Sequence, residues 1–173
     1  LVPWYVYLYY GDDRLIRAYY ENHKRYIDYL TFRSNNKLLN IGLSDWSHWK
    51  TTTPLEFLAS SYYYEYARLL SVFASITKNN DDKEKYEKLA KEIKIAINEK
   101  YFDRNKFTYA NGSQTALSTA LYFGIVPAEF KDSVRNVLVR TVKEKDFHLD
   151  VGLFGSKSLL NSLTDKNADV AYR

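Results

Sequence analysis

The sequence predicts an all-α protein, organised as part of a ring of helical hairpins. Three observations carry this. Apolar residues recur at helical spacing through nearly the whole chain, and period-two alternation is brief. Amphipathic segments take turns with segments that are apolar around most of their circumference, as expected of outer helices alternating with inner ones. The chain of 173 residues, 46% apolar and 17% aromatic, has ample material for one packed domain.

The elements follow in order. From about Asp12 to Leu30, the positions Leu15, Tyr19, His23, Tyr26 and Leu30 form one apolar stripe opposite Arg14, Arg17, Glu21 and Arg25. The next helix opens at "TPLE", where Thr53 is placed to cap, Pro54 needs no amide partner and Glu56 is placed to close a capping box. It runs through "LEFLASSYYYEYARLLSVFASI", an inner helix whose tyrosines read as core packing. "KEKYEKLAKEIKIAINEKYF" carries the narrow stripe Tyr86, Leu89, Ile93, Ile97 and Tyr101, with a charged back. "SQTALSTALYFG" is inner, capped by Ser113 and stopped by Gly124. "PAEFKDSVRNVLVRTVKEK" is amphipathic through Phe130, Val134, Val137, Leu138 and Val142. "SKSLLNSL" reads as another inner helix, and "KNADVAYR" begins one more.

The links alternate as well. Outer-to-inner links are long: about Arg33 to Thr52, Asp103 to Gly112 and Asp146 to Gly155. Inner-to-outer links such as "TKNNDD" and "GIVPAE" are short. Inner helices start too unevenly for a solenoid of fixed period. In a ring the long links emerge together on one face, and loops on a rigid scaffold are where binding groups collect. "GLSDWSHW", Gly42 to Trp49, lies on that face.

Composition excludes several classes. The net charge of +4 comes from interleaved signs, with no basic block or nucleic-acid motif, so no nucleic-acid partner is expected. No stretch approaches the ~20 apolar residues that span a bilayer. With no cysteine, and three histidines without ligand spacing, neither a metal nor another cofactor is expected. The absence of methionine, with Leu1 first, suggests an excised piece of a longer chain.

The order "WYVYLYYGDDRLIRAYYENHKRYIDYL", "GLSDW", "TPLEFLASSYYYEYARLLSVFA", "SQTALSTALYFGIVP" and "HLDVGLFGSKSLLNSL" resembles the catalytic domain of bacterial α-L-rhamnosidases over nearly all 173 residues. The resemblance implies a partial (α/α)6 toroid of about three hairpins, forming one piece of a single domain across residues 1–173. It implies inverting hydrolysis of terminal α-L-rhamnosides, a rhamnose-containing substrate and a periplasmic or secreted setting. Two positions depart from the family pattern: Ser44 stands where glycine usually precedes the Asp-Trp pair, and Asn167 replaces a glycine before the last helix. The general acid and base glutamates of the family fall outside this stretch, so no residue here is assigned as catalytic. Inverting hydrolysis needs two carboxyl groups roughly 6.5–9.5 Å apart, and the isolated chain is therefore expected to be inactive.

Asp45, Trp46, Trp49 and His148 are the expected substrate-binding residues. A tryptophan face stacks on the C–H face of a sugar, and a carboxylate accepts hydroxyl hydrogen bonds. Each has a structural alternative: the tryptophans as ring filler, Asp45 as a turn cap, His148 as a loop brace. His48 is expected to be exposed or structural, and Asp45, Asp146, Asp150 and Glu56 are the carboxylates near the loop face. A cut arc has open flanks, and self-association through "YYYEY" or "SKSLLNSL" is expected. The competing function class is a non-catalytic helical module that binds a glycan or a partner protein through the same concave face.

Overall fold

The computed structural model describes residues 1–173 and contains nine α-helices and one two-residue-strand hairpin. α1 (Val2–Tyr10) is followed by α2 (Arg14–Ala18) and α3 (Tyr20–Arg33). α4 (Leu55–Ile76) and α5 (Asn80–Tyr101) form the longest hairpin, and α6 (Gln114–Tyr122), α7 (Lys131–Glu144), α8 (Leu153–Thr164) and α9 (Ala168–Ala171) complete the chain. No helix is long and apolar enough to cross a membrane.

The layering follows burial. α4 buries thirteen of its residues, and every residue of α6 but the last is buried, whereas α5 and α7 bury only one stripe each. α6 packs on both α4 and α8, so these three form the inner row; α5 backs α4, and α7 backs α6 and α8. One continuous apolar core links all of them. The stripes expected for α5 and α7 hold, with Tyr86, Ile93, Ile97, Val134, Leu138 and Val142 buried.

The termini of α6 match their sequence signals. Ser113 Oγ accepts the Ala116 amide at 3.1 Å. Gly124, at φ 70°, takes the left-handed turn that lets the Gly124 and Ile125 amides reach back to Leu121 and Ala120. The capping box at α4 does not form. Thr53 is fully buried, with its hydroxyl 2.7 Å from that of Ser113, and Glu56 turns instead to Lys100 and Tyr101 on α5. A buried hydroxyl partner on the neighbouring inner helix outcompetes the local cap.

Two further readings change. The single helix expected over Asp12–Leu30 breaks at Tyr19, and the buried face is Ile16, Tyr20, Ile27 and Leu30: Leu30 is as expected, and the other three lie one residue beyond Leu15, Tyr19 and Tyr26 of the expected stripe. Tyr19 and Tyr26 are half exposed, because the two isoleucines are fully apolar and take the core positions. Between α5 and α6, Phe102–Asp103 pairs antiparallel with Thr108–Tyr109, a small hairpin that the aromatic-rich link did not announce.

Candidate functional site

The amino ends of the three inner helices meet on one face, and two buried aspartates tie them together. Asp45, in the link between α3 and α4, is fully buried. Its Oδ2 accepts the Thr115 hydroxyl from α6 and the Gly152 amide at 2.8 Å; its Oδ1 accepts the Phe154 and Gly155 amides at 3.1 and 3.3 Å. A carboxylate from 107 residues away in sequence thus satisfies the free amides at the start of α8, where the helix dipole also favours negative charge. The Leu153 amide donates to the Trp46 carbonyl at 2.9 Å and extends this clamp by one residue.

Asp150 does the converse. Set in the link before α8, it is 1% exposed and accepts the Lys50 and Thr51 amides at 2.8 and 3.0 Å, the Thr51 hydroxyl, and Lys145 Nζ at 3.2 Å. Burial works to raise its pKa, but these donors outweigh burial and hold the carboxyl well below the usual range. The Asp150 amide donates to Gln114 Oε1, whose own amide group donates to the His148 carbonyl. The two long links therefore hold each other through reciprocal carboxylates.

Glycine is required where the links touch. A Cβ on Gly152 would lie 2.5 Å from the Trp46 carbonyl and 2.6 Å from that of Asp45, and one on Gly155 would meet the Thr115 hydroxyl at 2.2 Å. Val151 and Thr115 are buried around them.

On this frame the aromatic groups face outward. Trp46 and Trp49 are both mostly exposed within residues 1–173. Trp49 stacks on His148 with ring centroids 5.9 Å apart and planes 23° apart, and Lys50 Nζ lies 4.0 Å from the Trp49 ring centre. His148 Nδ1 faces the carbonyls of Lys145 and Asp146, so that nitrogen carries the proton and Nε2 is the free acceptor. His48 is spent locally: Nδ1 faces the Asp45 carbonyl and Nε2 faces the Thr52 hydroxyl.

Of the four residues expected at the sugar surface, the structure brings Trp49 and His148 into contact and leaves Trp46 open. Asp45 is placed beneath them, with both oxygens engaged by protein donors. Among the other carboxylates of this face, Asp150 and Glu56 are likewise occupied, and Asp146 sits at a left-handed turn on the surface. Sequence reasoning passed over Thr115, Gln114, Gly152 and Gly155. The signal was the pair of glycines flanking "LF" just before an inner helix, which marks close backbone approach.

An inner row of helices, an outer row, and long links gathered over the inner amino ends define the class of helical-hairpin glycosidase domains. The model of the bacterial α-L-rhamnosidase six-hairpin glycosidase domain matches residues 1–173. The chain belongs to that family. It is 33% identical to an α-L-rhamnosidase of Formosa agariphila over 99% of its own length and 20% of the relative's. It is 29% identical to one from Streptomyces avermitilis, over 99% of this chain and 17% of that one. Among solved structures, the S. avermitilis α-L-rhamnosidase complexed with L-rhamnose superposes with a TM-score of 0.93 at 29% identity, covering 99% of this chain and 16% of that one. The α-L-rhamnosidase from Dictyoglumus thermophilum does so with a TM-score of 0.90 at 28% identity, over 99% and 20%. The chain thus spans about a fifth of the length of the relatives it matches.

Proposed function

We propose that residues 1–173 form one portion of a single α-L-rhamnosidase catalytic domain, and that the loop face over α4, α6 and α8 supplies part of the wall that holds a terminal α-L-rhamnoside. The observation that carries this is the Trp49–His148 stack, with Trp46 exposed on the same link, set on a frame locked by Asp45 and Asp150. An aromatic face held rigidly meets the apolar face of a sugar without a further ordering cost. His148 Nε2 adds one acceptor for a sugar hydroxyl. Asp45 serves by aiming Trp46 rather than by touching the sugar. With Asp45, Asp150 and Glu56 bound to protein donors, the two carboxyl groups that inverting hydrolysis needs come from elsewhere in the polypeptide.

The test is Trp46→Ala in the rhamnosidase that contains this segment. Loss of a stacking platform lowers kcat/KM by more than tenfold, about 1.4 kcal/mol. Because Trp46 is exposed, the melting temperature should hardly move. A large drop in melting temperature with unchanged kinetics refutes the reading.

A further inference from the structure

Away from the loop face the inner helices enclose a second concavity. Arg68 of α4, Tyr122 of α6 and Lys157 of α8, with Tyr5 of α1, line a cavity of about 550 Å³. Gly124 and Lys131, on the short link from α6 to α7 and at the start of α7, line it too, whereas no residue of 42–53 or 146–152 does. The cavity therefore belongs to the end of the inner row away from the Trp49–His148 stack. Its walls are largely aromatic. Tyr62 meets Phe154 and Phe123 edge-on, with ring centroids 4.9 and 5.1 Å apart, and all three rings line the space.

The charged side chains of the lining are Glu65, Arg68, Lys131 and Lys157. Glu65 is 7% exposed and takes two Arg68 nitrogens at 2.7 Å, so that pair is neutral within itself. Lys131 and Lys157 have no carboxylate partner, and their two positive charges are left over. Lys157 Nζ donates to the Tyr5 hydroxyl and lies 3.9 Å from the centre of that ring. The hydrogen bond raises the lysine's pKa, and an ammonium has three donors, so donors remain. Arg68 spends Nε and Nη2 on Glu65 and keeps Nη1 free. Ligand sites combine an apolar lining with a few placed polar groups, and here the uncommitted charged groups are all cationic donors. A carboxylate or sulfate only accepts, and a charge-assisted bond to it is stronger than one to a neutral hydroxyl.

We infer that this cavity is a binding site for an anionic ring compound, whose carboxylate or sulfate is held by Lys131, Lys157 and Arg68 Nη1 and whose ring lies against Tyr62, Tyr122 and Phe154. The anion supplies the charge that the two lysines lack, and the ring covers aromatic faces that otherwise meet water. A bare inorganic anion gains only the first of these. A neutral sugar gains only the second. The inference uses no residue of the two long links and stands apart from the rhamnoside reading above.

The experiment is calorimetric titration of the rhamnosidase that contains this segment, at low salt and with L-rhamnose held in excess, using D-glucuronate, benzoate, D-glucose and inorganic sulfate in turn. The better of the two acids is expected to bind at least tenfold more tightly than glucose or sulfate. Lys131→Gln combined with Lys157→Gln should weaken that acid at least tenfold, whereas Lys157→Arg, which keeps the charge, should hold it within about threefold. Both lysines are exposed, so the melting temperature should stay unchanged. Arg68 is left in place, because its loss would strand the buried Glu65 carboxylate. Glucuronate binding more tightly than benzoate marks a sugar acid as the ligand, the reverse marks an aromatic acid, and either supports the inference. Glucose or sulfate matching the better acid overturns it. So does an affinity that survives the double substitution, or an absence of binding by both acids.

Discussion

The Gly152 amide donates to Asp45 Oδ2 at 2.8 Å, across 107 residues of sequence, and the approach leaves no volume for a side chain at position 152. Its backbone angles, φ −99° and ψ −160°, are open to any residue, so the constraint is contact rather than conformation. Gly152→Ala would press a methyl against two carbonyl oxygens. Overpacking of this kind costs roughly 1–3 kcal/mol. In a chain of this length that lowers the melting temperature by several degrees, at about 2–4 °C per kcal/mol. Calorimetry showing an unchanged transition would mean that the two links are not in register as described.

Asp45→Ala should cost more than Gly152→Ala. It strands the Gly152, Phe154 and Gly155 amides and the Thr115 hydroxyl at a buried helix terminus. Buried donors left unmatched cost about 1–3 kcal/mol each, partly recovered where water enters. Chemical denaturation should therefore show at least ~3 kcal/mol lost, with Thr115→Val losing a fraction of that. If Asp45→Ala were neutral in stability, the clamp would have no energetic weight.

Asp150 gives the fold an acid limb. Its carboxyl titrates lower in the folded chain than the ordinary value of about 3.9, so its contribution is complete above that pH. The contribution fades as pH falls below about 4 toward the depressed folded value. Asp150→Asn should destabilise the chain at pH 7 and leave a shallower decline between pH 4 and pH 2. Parallel pH curves for the two proteins would contradict the assignment.

His23 acts in a milder range. It lies between the rings of Tyr66 and Phe73, its Nδ1 is 2.6 Å from the Tyr66 hydroxyl, and its Nε2 has no partner. Burial lowers its pKa. The unfolded state then takes up the proton first, and stability is full above about pH 6.5 and declines as pH falls below it. His23→Gln should flatten the melting temperature between pH 7 and pH 5, measured by circular dichroism. An equally steep slope in the variant would place the acid sensitivity elsewhere.

The helical rows were legible in the sequence because inner and outer helices differ in how much of their circumference is apolar, a property that needs no tertiary knowledge. Ser113 and Gly124 were legible for the same local reason. Thr53 and Glu56 were not, since their partners Ser113, Lys100 and Tyr101 come from other elements. The phase of α3 slipped because tyrosine serves both as core and as surface, and only the break at Tyr19 decides which of its tyrosines face inward. For the loop face, the sequence marked out the tryptophans and His148 by type. It could not show that Asp45 turns its carboxylate to α8, because that depends on a contact between two links more than a hundred residues apart.

The exposed apolar surface extends well beyond "YYYEY" and "SKSLLNSL", and this shapes the expected association. Tyr63, Tyr64, Leu159 and Leu163 are buried, whereas Leu160 is exposed and Tyr62 and Tyr66 are half-buried, so "YYYEY" and "SKSLLNSL" each leave only a part open. α1 is apolar or aromatic at every position and buries none of them, with Leu8, Tyr9 and Tyr10 standing out into solvent. α3 adds Tyr26, Tyr29 and Phe32 on its open side. Contiguous apolar surface beyond a few hundred Å² is uncommon on soluble monomers, and a helix apolar all round is a helix that expects neighbours. The chain should therefore self-associate, with the mean mass from light scattering rising with concentration. Tyr9→Lys combined with Phe32→Lys should return it to a monomer, because both side chains are exposed and their replacement leaves the core intact. A monomer at high concentration in the unsubstituted chain would show that α1 folds back over α3, and the Lys157–Tyr5 contact between α8 and α1 would be the place to look for that closure.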